Sequence, residues 1–195
     1  MSGDPAAEKA RVRALVRKLL AAFSAEAQAA ESARARALLL RQSVWESAAT
    51  VLFYAPLPGE LDIWPLLTTA MQAGKRVALP RFDPATGMYE PALVIDPARD
   101  IVLGKHGVRE PSQACARVRG NEIDLVLVPG VAFDFRGFRL GRGKGYYDRL
   151  LPMLSGIKCG VAFEHQLVPR LPVEPHDYRL DCILTPARWI VVEPG

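Results

Sequence analysis

Apolar residues at the start of the chain recur at helical intervals. Over 9–23, Val12, Leu15, Val16, Leu19 and Leu20 form one stripe, and Arg11, Arg13, Arg17 and Lys18 lie off it. This is the pattern of an amphipathic helix. Ser24, with Glu26 behind it, marks the cap of a second helix running to about Trp45. The period then changes. Residues 50–55 read as a buried strand, stopped by Pro56, Pro58 and Gly59. Asp62 is placed to cap a helix through Met71 to Ala73, closed by Gly74, and 76–80 is the next strand. This strand–helix–strand unit implies a parallel pair with a right-handed crossover. Residues 89–95 read as a strand and 96–120 mostly as loop. The most uniformly apolar strand is 124–129. A helix over about 146–154 and strands at 161–163, 182–184 and 190–192 complete the pattern. The alternation predicts an α/β fold in a single domain over 1–195. Its core is a three-layer, Rossmann-like, mostly parallel sheet with helices on both faces, and an N-terminal helical arm spans about 5–46.

Composition narrows the classes. The chain has 195 residues, 50% of them apolar and 24% charged. A domain of this size buries roughly 70% of its unfolded surface and needs no disulfide or metal to fold. No repeat or low-complexity segment is present, which excludes fibrous and disordered classes. No run of about 18 apolar residues predicts a membrane span, and the polar residues of 1–13 do not form a secretory signal. Cys115, Cys159 and Cys182 are odd in number and lack C-x-x-C spacing. They read as reduced thiols, at least two of them in core strands, and a cytoplasmic location is the default expectation. The net charge of +4 does not by itself separate a nucleic acid from an anionic small ligand.

Chemistry concentrates between the 124–129 strand and the helix after it. Gly141, Gly143 and Gly145 alternate with Arg142 and Lys144, and Arg139 stands just before them. In open α/β sheets ligands bind beyond the carboxyl ends of the strands. Glycines let backbone N–H groups approach an anion, and the following helix is expected to add its positive end. Together these parts describe a polyphosphate cradle. It is neither the common P-loop nor the dinucleotide fingerprint. The blander reading is a flexible turn. Asp148 follows the loop and suits Mg²⁺, which takes one or two carboxylates beside phosphate oxygens; its blander role is charge complementarity at a helix start.

The PGVAFD run at 129–134 and GFRLGRGKGYYDR at 137–149 resemble the signature of 5-formyltetrahydrofolate cyclo-ligases, also called 5,10-methenyltetrahydrofolate synthetases. Weaker elements occur in the same order: Lys9 with Arg13, the Tyr54 to Asp62 segment with its GELD, GVREP at 107–111, and LPVEPHD at 171–177 followed by LTP at 184–186. The resemblance covers nearly the whole chain. It implies conversion of 5-formyltetrahydrofolate and ATP, with Mg²⁺, into 5,10-methenyltetrahydrofolate, ADP and phosphate. It also implies ATP contacts from Lys9, Arg13, Arg139, Leu140, Gly141, Arg142, Gly143, Lys144, Gly145, Tyr146 and Tyr147. Substrate contacts fall to Ala55, Glu60, Glu110 and Tyr147. Asp148 and Asp177 become Mg²⁺ ligands, with Asp181 close enough to be confused with the latter. Arg142 or Lys144 is expected to stabilise the transferring phosphoryl group as a catalytic cation.

Two positions depart from the family pattern. Ile63 stands where many members have Thr, which removes a hydroxyl, and His106 stands where an aromatic or apolar residue is common. His165 and His176 have no metal-ligand spacing, and no Ser–His–Asp or Cys–His arrangement is legible. The competing readings are a non-catalytic relative that binds nucleotide or folate, and a nucleic-acid binder. The presence of Lys9, Glu60, Arg139, Lys144 and Asp148 argues against the first. The lack of a recognition motif argues against the second. The expected partners are therefore small molecules, with neither nucleic acid nor membrane, and the expected state is a monomer.

Overall fold

A computed structural model of the protein describes residues 4–104 and 107–193. In chain order the strands are β1 (Thr50–Leu52), β2 (Arg76–Asp83), β3 (Met88–Val94), β4 (Ile101–Leu103), β5 (Arg109–Pro111) and β6 (Leu125–Pro129). They continue with β7 (Ala132–Asp134), β8 (Arg139–Leu140), β9 (Ile157–Val161), β10 (Leu167–Val168), β11 (Cys182–Leu184) and β12 (Trp189–Val191). The helices are α1 (Pro5–Ala21), α2 (Ala25–Leu39), α3 (Ser43–Ser47), α4 (Leu66–Gln72), α5 (Pro97–Asp100) and α6 (Tyr146–Leu150).

Seven strands form the main sheet in the order β12-β11-β9-β6-β1-β2-β3. The five inner strands are parallel, and β12 and β3 close the edges antiparallel. Both faces are buried, which explains the nearly continuous apolar runs of the inner strands. On one face Val51, Val77, Leu79, Leu125, Leu127 and Cys159 pack against α2, α3 and α4 through Ala35, Leu39, Trp45, Leu66 and Leu67. On the other, Leu52, Ala78, Val126, Val128 and Ile183 meet Leu150, Leu151, Leu154 and Phe133. Cys159 and Cys182 face each other in register as free thiols in the core, and burial pushes the Cys159 thiol up. Among the described residues no helix is long and apolar enough to cross a membrane.

The N-terminal helix keeps a narrower stripe than its sequence suggests. Val16 is fully buried, and Val12 and Leu20 pack beside it on Val131, Ala132, Leu140 and Leu171. Leu15 and Leu19 are 56% and 42% exposed. Positions 12, 16 and 20 make a single i, i+4 ridge, and the platform it meets is too small to cover a second one. That platform is a three-stranded sheet, β10-β7-β8, which no periodicity announced.

Other boundaries moved for local reasons. Ser24 does cap α2, accepting from Ala27 N–H, but α2 ends at Leu39 and α3 carries Trp45 separately. Asp62 does not cap α4. It closes a turn onto Trp64 N–H at 2.9 Å, and α4 starts after Pro65. The 146–154 helix stops being α-helical at Leu150, because Pro152 has no N–H to donate, and a 3₁₀ turn takes over at Leu151–Met153. The strand placed at 161–163 is β9, ending at Val161. Buried Lys158 hid its start: its N–H reaches Asp181 at 2.7 Å and its ammonium lies over Tyr178. The stretch read as loop at 96–120 holds α5 and the β4–β5 hairpin.

Candidate functional site

From β1 the chain moves outward through β2 to β3, and from β6 it moves the other way through β9 and β11. The direction of winding therefore reverses between the neighbours β1 and β6. Open α/β sheets bind ligands at such a point, beyond the carboxyl ends of the strands. A cavity of about 260 Å³ lies there. Tyr54, Ala55, Leu57 and Glu60 line it from the segment after β1, and Pro129 and Gly130 from the end of β6. Arg139, Gly141, Arg142, Lys144, Gly145, Tyr146, Tyr147 and Asp148 supply the glycine-loop wall. Pro80, Tyr89, Val108, Arg109 and Leu150 complete it. A second cavity of about 350 Å³ adjoins, and Glu60, Gly130 and Arg142 border both.

The glycine loop has the shape its composition calls for. Gly145 sits at the N-cap of α6 with φ 64°, a left-handed conformation that disfavours any side chain. A methyl group on Gly130 would stand 2.7 Å from the Phe133 ring, so only glycine lets the β6 end pass this close. The helix expected to lend a positive end is only five residues long, so the loop's cations, not a helix dipole, carry the charge.

Those cations differ in how they are held. The Arg139 side chain is 4% exposed and donates to Asp148 Oδ1 at 2.7 Å. Its Nε is buried with no hydrogen-bond partner among the described residues. A buried unsatisfied donor costs roughly 1–3 kcal/mol, so this atom, on a residue that lines the cavity, would gain from an acceptor that reached it. Arg142 grips Glu60 Oε1 side-on, with Nε at 3.1 Å and a terminal nitrogen at 3.0 Å. Lys144 is exposed, and its ammonium makes no hydrogen bond or ion pair with any described residue.

Glu60 is nearly buried, and its other oxygen accepts from Leu57 N–H at 3.0 Å. Burial pushes its carboxyl above the ordinary range, and the Leu57 N–H and Arg142 only partly oppose this. Burial likewise raises Tyr147 and Tyr54, so both hydroxyls stay protonated and able to donate. Tyr54 donates to Leu61 C=O. Tyr146, Tyr89 and Phe82 pack edge to face, with the two tyrosine rings 5.0 Å apart.

Other sequence-selected residues lie behind this wall. Arg13 Nε donates to Gly141 C=O at 2.9 Å, tying α1 to the loop. One turn earlier, Lys9 is buried and bonds Asp177 and Glu174 at 2.7 Å each. Burial opposes the Lys9 charge, but the two carboxylates outweigh it and raise its pKa; Asp177 is lowered despite burial, chiefly by Lys9. Leu140 faces the core under α1, Gly143 is exposed at the loop tip with φ 100°, and Asp181 holds the backbone of β9. Glu110 is buried beside β2, where it accepts from Phe82 N–H, and does not line the cavity. Ile63 is fully buried in the core, which accounts for an apolar side chain there. His106 lies outside the described residues. Tyr89 was missed because it reaches the cavity from β3 with no local motif; Tyr54 and Arg109 lie inside the 54–62 and 107–111 elements of the resemblance, which gave neither a role.

A magnesium ion suits part of this donor set. Among the described residues no three His, Cys, Asp or Glu side chains converge. Mg²⁺ commonly uses one or two carboxylates and takes its remaining oxygens from phosphate and water. Asp148, half-buried in the cavity wall, meets that requirement for an ion arriving with a polyphosphate.

Comparison with known proteins identifies the family. The model of the 5-formyltetrahydrofolate cyclo-ligase family matches residues 5–186. A 5-formyltetrahydrofolate cyclo-ligase of Escherichia coli (strain K12) is 37% identical over 145 residues, covering 72% of this chain and 80% of the relative. One from Mycolicibacterium smegmatis is 36% identical over 157 residues, covering 74% and 77%. The NMR structure of Aquifex aeolicus 5,10-methenyltetrahydrofolate synthetase superposes with a TM-score of 0.86 at 32% identity, covering 96% of this chain and 94% of that one. This chain belongs to the 5-formyltetrahydrofolate cyclo-ligase family and is a ligase.

Proposed function

We propose that the chain converts 5-formyltetrahydrofolate to 5,10-methenyltetrahydrofolate with ATP and Mg²⁺, releasing ADP and phosphate. One observation carries this reading. The switch-point cavity has a wall of glycine-loop cations with an unsatisfied buried Arg139 Nε, and elsewhere an aromatic and apolar lining around a buried Glu60. The first part suits a triphosphate and the second a pterin, whose ring N–H groups a carboxylate accepts.

The formyl oxygen attacks the γ-phosphorus; an O–P bond forms, and the bond to the β–γ bridging oxygen breaks to release ADP. N10 then attacks the activated formyl carbon and loses its proton, and the C–O bond breaks to release phosphate. An amide oxygen is a poor leaving group until phosphorylated. The protein's task is thus positioning and charge neutralisation. Arg139 and Lys144 take phosphate oxygens, with Lys144, the uncommitted cation, on the transferring group. Arg142 joins the phosphate wall to Glu60 and so couples the two substrates' positions. Tyr147 lies along the folate, Arg13 braces the glycine loop from α1, and Lys9 ties the same helix to Glu174 and Asp177. Asp148 would hold Mg²⁺, which would supply neutralisation of phosphate charge; Asp177, paired with Lys9, does not line the cavity and is left to the clamp on α1.

The test is direct. Mixing protein, 5-formyltetrahydrofolate, ATP and Mg²⁺ is expected to produce the near-ultraviolet absorbance of the methenyl product. Tight folate binding without product would replace this reading with that of a non-catalytic relative.

A further inference from the structure

Arg109 stands in the cavity wall at the start of β5, and no motif reading gave it a role. Its guanidinium carbon lies 3.7 Å from the centroid of the Trp64 ring. The side chain is otherwise free: among the described residues it makes no hydrogen bond or ion pair, whereas Arg139 is held by Asp148 and Arg142 by Glu60. An indole face attracts a cation lying within about 6 Å of its centroid. Stacking uses the face of a guanidinium and leaves its N–H edge for an acceptor, a fork that matches a carboxylate bidentately. Because the ring already fixes the side chain, little rotamer freedom remains to be lost on binding.

Position decides which anion this fork takes. Arg109 and Trp64 belong to β5 and to the segment that follows Glu60 and Asp62, not to the glycine loop. The phosphate-suited groups, Arg139 and Lys144, come instead from β8 and the glycine loop that follows it. A substrate whose pterin meets Glu60 carries a p-aminobenzoyl spacer and then a glutamyl group with two carboxylates. We infer that Arg109, stacked on Trp64, is a specificity-determining residue that binds a carboxylate of the folate's glutamyl tail. The inference rests on the proposed substrate and assigns the one part of it that the reacting atoms do not involve.

The test compares wild type, Arg109→Gln and Arg109→Lys on 5-formyltetrahydrofolate and on 5-formyltetrahydropteroate, which lacks the glutamyl group. Arg109→Gln is expected to raise the folate KM about tenfold or more, the loss of one charge-assisted hydrogen bond. Turnover and the KM for ATP stay within about twofold, and Arg109→Lys recovers part of the loss. Wild type discriminates against the pteroate, and Arg109→Gln does not. Equal losses on both substrates, a raised KM for ATP, or no change would each overturn the inference. If wild type gives no methenyl product, the proposed reaction falls separately. Fluorescence titration then reads the contact alone: weaker folate binding by Arg109→Gln, with pteroate binding unchanged, upholds it, and equal binding overturns it.

Discussion

Lys144 and Arg142 are two residues apart on one loop, yet their surroundings assign them different work. Arg142 is tied to Glu60, while the Lys144 ammonium has no partner among the described residues. Lys144→Ala is therefore expected to raise the KM for ATP by tenfold or more, since a charge-assisted hydrogen bond contributes about 1.5–3 kcal/mol. Folate affinity, read by fluorescence titration, should stay within about twofold; equal loss of both would remove Lys144 from the phosphate side. Glu60 makes the opposite kind of prediction. Burial raises its pKa in the folded state, so folding favours the protonated form. Its contribution is most favourable below the unfolded value and is lost as pH rises through the folded one. Glu60→Gln should accordingly gain stability relative to wild type as pH is raised from about 4 to 8. A gain on the order of 1 kcal/mol moves Tm by about 2–4 °C in a chain of this size, and turnover should fall. A difference in Tm that does not change with pH would show that the buried charge is not what destabilises the site.

Between the residue and the fold, α1 acts as a clamp. Its Val12–Val16–Leu20 ridge covers the β10-β7-β8 sheet, Arg13 holds Gly141, and Lys9 holds Asp177 and Glu174. The Lys9–Asp177 pair is only 11% exposed on each side, and removing one partner strands the other charge away from water. Lys9→Ala is expected to cost roughly 1.5–3 kcal/mol and to speed hydrogen exchange along α1. The sign of the pH dependence follows from both shifts. Asp177 is lowered, so its contribution is present above about pH 4 and lost as pH falls through its folded value; Lys9 is raised, so its contribution is lost only at strongly alkaline pH. Denaturant melts should thus show the full difference between wild type and Lys9→Ala at pH 7, narrowing below about pH 4. This clamp was only half legible in the sequence. Lys9 and Arg13 share a helix face at i and i+4, which spacing reveals. The platform beneath α1 is built of two- and three-residue strands, too short for any period to register. The inner strands of the main sheet were legible because burial on both faces forces them to be apolar throughout. The glycine loop was legible because its residues are contiguous. The aromatic wall was only partly legible: Tyr146 came with the glycine loop and Tyr54 with the segment after β1, but Tyr89 joins them only after the sheet is assembled.

At the scale of the molecule, the +4 net charge acquires meaning from its placement. Residues 133–149 hold Arg136, Arg139, Arg142, Lys144 and Arg149 against Asp134 and Asp148. Arg136 is consumed structurally by Asp134, so the cations left at the cavity are few and close together. A polymer surface would spread its cations over several phosphates and give binding that falls steeply with salt. A compact site predicts something else. ATP with Mg²⁺ at 100 times its Kd stabilises the folded state by about 2.7 kcal/mol, which corresponds to a Tm gain of roughly 5–11 °C at this chain length. Chelating the metal should shrink that gain, because the ion neutralises phosphate charge that the loop's three cations only partly offset. Lys144→Ala should shrink it as well, while Arg109→Gln should leave it intact, since that residue is assigned to the folate. An unrelated oligonucleotide should not shift Tm at any salt concentration. A shift with the oligonucleotide that vanishes between 50 and 200 mM salt would instead mark the basic excess as a polymer-binding surface, and the compact reading of the charge would fall.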